Sequence, residues 1–199
     1  MLNMKDGCKI ENADKLYEAY EKTEYGYLSN INVEKIVQVL KCFISMQKGP
    51  VFFFLEVPAN LSDEKELSPG VLESTHTDIY YKDYLEEDEA FNFLDTVGEL
   101  LANDGLCSFG FGSRNNHDEI AVNKYNVVTI LTQENNAYDV LFQNFDILKT
   151  EKLITAWDIF TEESPGYSER IEINGKDVYS LIKEFKDWGL YFAEQREDS

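Results

Sequence analysis

His76 and His117 are the only two histidines in the 199-residue sequence, so any imidazole chemistry must use one or both. His76 and Asp78 alternate along a stretch rich in Thr, Ile and Tyr, which places them on one face of a strand. His117, Asp118 and Glu119 crowd a polar turn beside Arg114. If strand pairing joined the two groups, two imidazoles and two carboxylates would suit a metal ion. Their spacing matches no metal motif, however, and a solvated loop histidine is the simpler reading. A metal-dependent enzyme using His76 and His117 therefore stands as the alternative, while the main reading assigns no metal ligand, no cofactor and no catalytic residue.

The three cysteines, Cys8, Cys42 and Cys107, are odd in number and fit neither a disulfide framework nor a zinc pattern. They read as reduced thiols of a cytoplasmic chain. None has a neighbouring histidine, and Cys107, alternating with Phe109 and Phe111, is expected in the core. The glycines of FGFGSRNN lack the lysine and the strand-to-helix setting of a phosphate loop. Gly110 and Gly112 instead predict a strand with a close-packed neighbour.

Carboxylates dominate what remains. Thirty-eight acidic residues against eighteen basic give a formal charge of −20, which sets the surface against DNA, RNA and anionic lipid. Two readings compete, a solvated surface and a negative face that steers a basic partner. Lys outnumbers Arg fifteen to three, and the acids bunch at 83–89, 118–119 and 162–163, which favours the face. After Lys82, the run to Gly105 has seven carboxylates and then Asp104, with no further basic residue. Asp83, Glu86, Glu87, Asp88 and Glu89, with Tyr80 and Tyr84, are the first candidates for contact with Lys and Arg side chains. Asp118 and Glu119 are the second.

These residues need elements to hold them. Val33, Ile36, Val37, Leu40, Phe43 and Ile44 recur at helical spacing after Asn32, with Gly49-Pro50 as the stop. PVFFFLEVP predicts a central strand at Val51–Val57, and THTDIYYKDY a second, joined by a polar loop turning at Pro69-Gly70. Asp88 is placed as the cap of a helix carrying Phe91, Leu94, Val97, Leu100 and Leu101 and ending at Asp104-Gly105. The helix macrodipole alone would account for about two of the acids at its start. LCSFGFGS and the segment from Asn126 to Thr132 predict strands, and KLITAWDIFT another. ADKLYEAYEKTEYGYL is read as a short helix broken at Gly26, and NNAYDVLFQNFDIL as a helix or a strand. The C-terminal RIEINGKDVYSLIKEFKDWGL predicts a strand, an Asn174-Gly175 turn and a helix bearing Val178, Leu181, Ile182, Phe185 and Trp188. Residues 192–199 are expected to fray.

With no repeat, linker or composition break, the expectation is a single α+β domain spanning 1–199, a mainly antiparallel sheet packed with several amphipathic helices. No apolar run approaches membrane-spanning length, and the N-terminus has no apolar leader core, so neither membrane insertion nor secretion is expected.

The segment IEINGKDVYSLIKEFKDWG resembles a strand, Asn-Gly, apolar-helix ending found in immunity proteins of bacterial polymorphic-toxin systems. Val178 stands where that pattern has Leu, and Lys183, Glu184 and Lys186 surround the place of its acid. FGFGSRNNHDEIAVNKYNVVTIL is similar to small bacterial proteins of the same sort. The resemblance implies a non-enzymatic protein that binds and neutralises a cognate toxin domain, commonly a basic nuclease. It transfers no site residue.

Overall fold

Alternation along the apolar strands sorts their side chains onto two faces, and one face is closed by helices. The structure, a computed structural model, describes residues 1–59, 66–68, 71–72, 75–134 and 136–197. The expected Pro69-Gly70 turn lies outside the described residues. Nine strands form one mixed sheet: β1 (Ala19–Thr23), β2 (Gly26–Asn30), β3 (Val51–Pro58), β4 (His76–Leu85), β5 (Ser108–Ser113), β6 (Glu119–Val122), β7 (Val127–Leu131), β8 (Leu148–Lys149) and β9 (Tyr191–Glu197). Their spatial order is β8-β1-β2-β7-β6-β5-β3-β4-β9. Every neighbouring pair is antiparallel except β8 with β1. Five α-helices accompany the sheet among the described residues: α1 (Val33–Ser45), α2 (Glu87–Asn103), α3 (Asp139–Asn144), α4 (Ala156–Ile159) and α5 (Val178–Phe185). The chain is thus a single α+β domain, as its patterning predicts.

Phe53, Leu55 and Val57 of β3, Phe109 and Phe111 of β5, Ile120 and Val122 of β6 and Val128 and Ile130 of β7 all enter one buried cluster. Into the same cluster α1 inserts Ile36, Val39, Leu40, Phe43 and Ile44, and α2 inserts Phe93, Leu94, Val97, Leu100 and Leu101. Gly98 brings these two helices together, since a Cβ there would stand 2.9 Å from Val37 Cγ2. Phe93 stacks on Trp188 with centroids 4.7 Å apart, which attaches the C-terminal segment to α2. A second, smaller cluster of Leu2, Cys8, Leu16, Tyr125 and Ala156 secures the N-terminus.

Five expectations require correction. The predicted helix around Leu16 and Tyr20 is the β1–β2 hairpin, because Tyr20 stacks on Phe142 (4.2 Å) and pairs across to Ser29, contacts that only an extended chain reaches. The strand predicted in KLITAWDIFT is absent; Ala156–Ile159 form α4 instead, and Thr155 and Asp158 make its reciprocal capping box. The tail expected to fray from residue 192 is instead strand through Glu197, paired antiparallel with β4 as the sheet's outer edge. Near Asn174-Gly175 the turn is present, but the preceding strand shrinks to one bridge, Ile173 with Lys176. The acidic helix begins one residue before Asp88, at Glu87, with Glu86 in the cap position.

Candidate functional site

The strand register gathers both acidic candidates at one end of the sheet. Val51 pairs with Leu85 on one side and with Ser113 on the other. The run from Asp83 to Glu89 and the loop 114–118 therefore leave the sheet from the same end of three adjacent strands. Gly112 in turn faces Glu119, and Glu119 faces Leu131, which pairs with Gly26. The turn Glu24-Tyr25 and the segment 132–134 complete the rim.

A bulge shapes this end. Between the pairs Val51–Leu85 and Phe53–Lys82, Asp83 and Tyr84 on β4 oppose Phe52 alone on β3. Tyr84 takes a left-handed backbone (φ 56°) and is 73% exposed. Asp83 is thereby aimed at the neighbouring loop, where its Oδ1 accepts from Arg114 Nη2 at 2.6 Å and its Oδ2 from the Tyr191 hydroxyl at 2.8 Å. Burial opposes its ionisation, but these two hydrogen bonds and the guanidinium charge outweigh it and hold the carboxyl below its usual range. The Arg114 guanidinium also lies 5.9 Å from the centroid of the Phe52 ring.

The candidates do not share one environment. Glu86, Glu87 and Asp88 are exposed and Glu89 is half-buried in the first turn of α2; Glu87 accepts from the Ser45 hydroxyl. Tyr80, expected to be exposed, is half-buried and packs against the core and edge-on to Phe192. Asp118 also departs from its surface assignment. It is 5% exposed, and its Oδ2 accepts from the Tyr138 hydroxyl at 2.6 Å and from Asn116 Nδ2 at 2.8 Å. Gln47 Nε2 donates to the same Tyr138 oxygen at 3.0 Å. Burial, reinforced by the bond to Asp118, pushes the Tyr138 phenol far above its ordinary value. Asp118 therefore braces the loop from within, while its neighbour His117 adopts φ 62° and stays exposed.

Glu119 belongs to the sheet face opposite the helix-covered core. It is half-buried, and burial, followed by repulsion from Glu56, raises its carboxyl above the usual range. Glu56 on β3 is likewise raised by burial, although Arg196 Nη1 lies 3.6 Å away and works against the shift. A cleft of about 360 Å³ opens beside Glu119, walled by Phe52, Tyr81, Ser113, Arg114, His117 and Asp118. Gly112 makes room for the wall: a Cβ there would stand 2.2 Å from Phe52 Cζ. Glu56 and Phe52 are not among the sequence candidates. The available signal was the single acid within the apolar run VFFFLEVP.

The two histidines occupy opposite ends of the sheet. His76 starts β4 beside Pro58 and Ala59, whereas His117 follows Ser113, which pairs with Val51. The seven steps from Val51 to Pro58 alone separate them by roughly 23 Å. No pair of strands joins them in a common metal site. Cys107 faces the core as expected, its thiol driven far up in pKa by burial.

No family model, curated protein or solved structure matches the chain. Among the described residues, no helix is long and apolar enough to cross a membrane.

Proposed function

We propose that this chain is a non-enzymatic, acidic binding protein, and specifically an immunity protein that neutralises a basic toxin domain in the cytoplasm. The observation that carries the reading is the convergence, at one end of the sheet, of the acidic run 83–89 with the 114–119 loop. A net charge of −20 supplies long-range attraction to a basic surface, and the rim supplies fixed carboxylates and aromatic faces for close contact. A nuclease must be basic to hold phosphates, so it is the toxin class this surface fits best. The C-terminal resemblance to immunity proteins supports the same reading.

The test has two parts. Proteins retained by the purified chain from a lysate of its source organism at low salt are identified after a salt step. Each basic domain recovered is then expressed alone and together with this chain. Growth arrest that co-expression relieves supports the proposal, and arrest that co-expression leaves unchanged for every retained domain overturns it.

A further inference from the structure

The cleft beside Glu119 combines three features. Its walls include two aromatic rings, Phe52 and Tyr81, with centroids 5.9 Å apart. Glu119 is half-buried at its edge, and its carboxylate has neither hydrogen-bond nor ion-pair partner among the described residues. The same Phe52 ring already carries a guanidinium, that of Arg114, whose charge Asp83 neutralises. The chain therefore displays, with its own arginine, one complete aromatic–guanidinium–carboxylate arrangement, and in the same cleft, which Arg114 also lines, a second carboxylate, that of Glu119, paired with no cation among the described residues.

We propose that the cleft formed by Phe52, Tyr81 and Glu119 takes an arginine side chain of a basic protein partner. The proposal rests on the binding-protein reading and names the contact through which that binding acts. Charge complementarity argues for the occupant, since Arg196 lies 3.6 Å from Glu56 whereas Glu119 has only the repulsion of Glu56 beside it, and the chain as a whole is strongly negative. The planar guanidinium suits the site better than an ammonium, because it stacks on an aromatic face while its edge donates two hydrogen bonds to one carboxylate. A volume of about 360 Å³ admits such a side chain. Desolvation of Glu119 supports the assignment, because a carboxylate already stripped of part of its water gains more from an incoming cation than a solvated one.

The probe is acetyl-(Gly-Arg)3-amide, titrated calorimetrically at low salt against the full chain, with the lysine counterpart alongside. Glu119→Gln is expected to weaken arginine-peptide binding at least fivefold, and Phe52→Leu at least threefold. Glu172→Gln, which removes the same charge at an exposed position beyond the far end of α2, is expected to change it less than twofold. Equal losses for Glu119→Gln and Glu172→Gln overturn the proposal, since binding would then follow net charge alone. Equal affinity for the arginine and lysine peptides overturns the choice of arginine. Should the peptide bind at Glu119 while no basic domain is neutralised, the immunity reading fails and the cleft stands. Should a domain be neutralised equally well by Glu119→Gln, the cleft fails and that reading stands.

Discussion

Arg114 Nη2 lies 2.6 Å from Asp83 Oδ1, which ties the loop after β5 to the bulge before the acidic helix. The two residues are far apart in sequence, and their contact makes one rim of two acidic clusters. Arg114→Ala should cost little stability, because its side chain is mostly exposed and salt screens such surface pairs. Asp83 is held below its ordinary pKa. Its stabilising contribution is thus complete above the unfolded value of about 3.9 and is lost as pH falls through the folded one. Urea melts of wild type and Arg114→Ala should differ at pH 7 and begin to converge only as pH falls below about 4.

Removing the Tyr138 hydroxyl tests whether Asp118 braces the loop. Tyr138→Phe leaves a buried carboxylate oxygen with one donor fewer, at an expected cost of about 1–3 kcal/mol. The phenol titrates above its unfolded value of about 10, so its contribution is intact below that pH and lost as pH rises through the folded value. Above about pH 10 the wild type should lose stability more steeply than Tyr138→Phe. Equal slopes in denaturant melts across that range would remove the hydroxyl from the account.

Local pattern made α1, β3, α2 and β5 legible, because each is a run whose apolar spacing matches one period. What local pattern does not carry is pairing. Tyr20 has helical spacing from Leu16, yet its partners are Ser29 on the next strand and Phe142 more than a hundred residues away. The tail from Tyr191 shows no apolar stripe because an edge strand exposed along its length needs none. Short α4 is marked in the sequence by Thr155 and Asp158, a capping pair three apart, but the β-branched Ile154 and Thr155 fit a strand equally well. The acidic run announced itself in composition. Its union with the 114–119 loop depends on Val51 pairing both ways, which no single segment encodes.

The two strand glycines should differ in what they tolerate. A Cβ at Gly110 would stand 1.9 Å from the Ile120 carbonyl oxygen, so β5 and β6 themselves would have to part. Gly110→Ala is expected to cost about 3 kcal/mol or more. At Gly112 the nearest obstacle is the outer end of the Phe52 ring, which can swing away. Gly112→Ala should therefore cost about 1 kcal/mol, and the smaller side chain of Phe52→Leu should restore part of it. Thermal melts of the two single variants and the Phe52→Leu/Gly112→Ala pair decide the matter, and equal destabilisation by both glycine changes would contradict the packing.

Glu119 is where stability and recognition should oppose each other. Burial and then the charge of Glu56 raise its carboxyl, while Tyr81, Asp118, His117 and Arg114 line the adjoining cleft. A raised folded value means that this group's contribution is fully favourable below the unfolded pKa of about 4.3 and is lost as pH rises through the folded one. Once ionised, the side chain therefore burdens the fold. Glu119→Gln should stabilise the free chain at pH 7, and the gain should vanish near pH 4, where the glutamic acid is already protonated. The same substitution should weaken arginine binding. An ordinary structural carboxylate would show the reverse in stability, with Gln costing stability at pH 7. Retaining an acid that the free fold would do better without is the pattern of a side chain kept for a partner, since sites that bind commonly sacrifice some stability to do so.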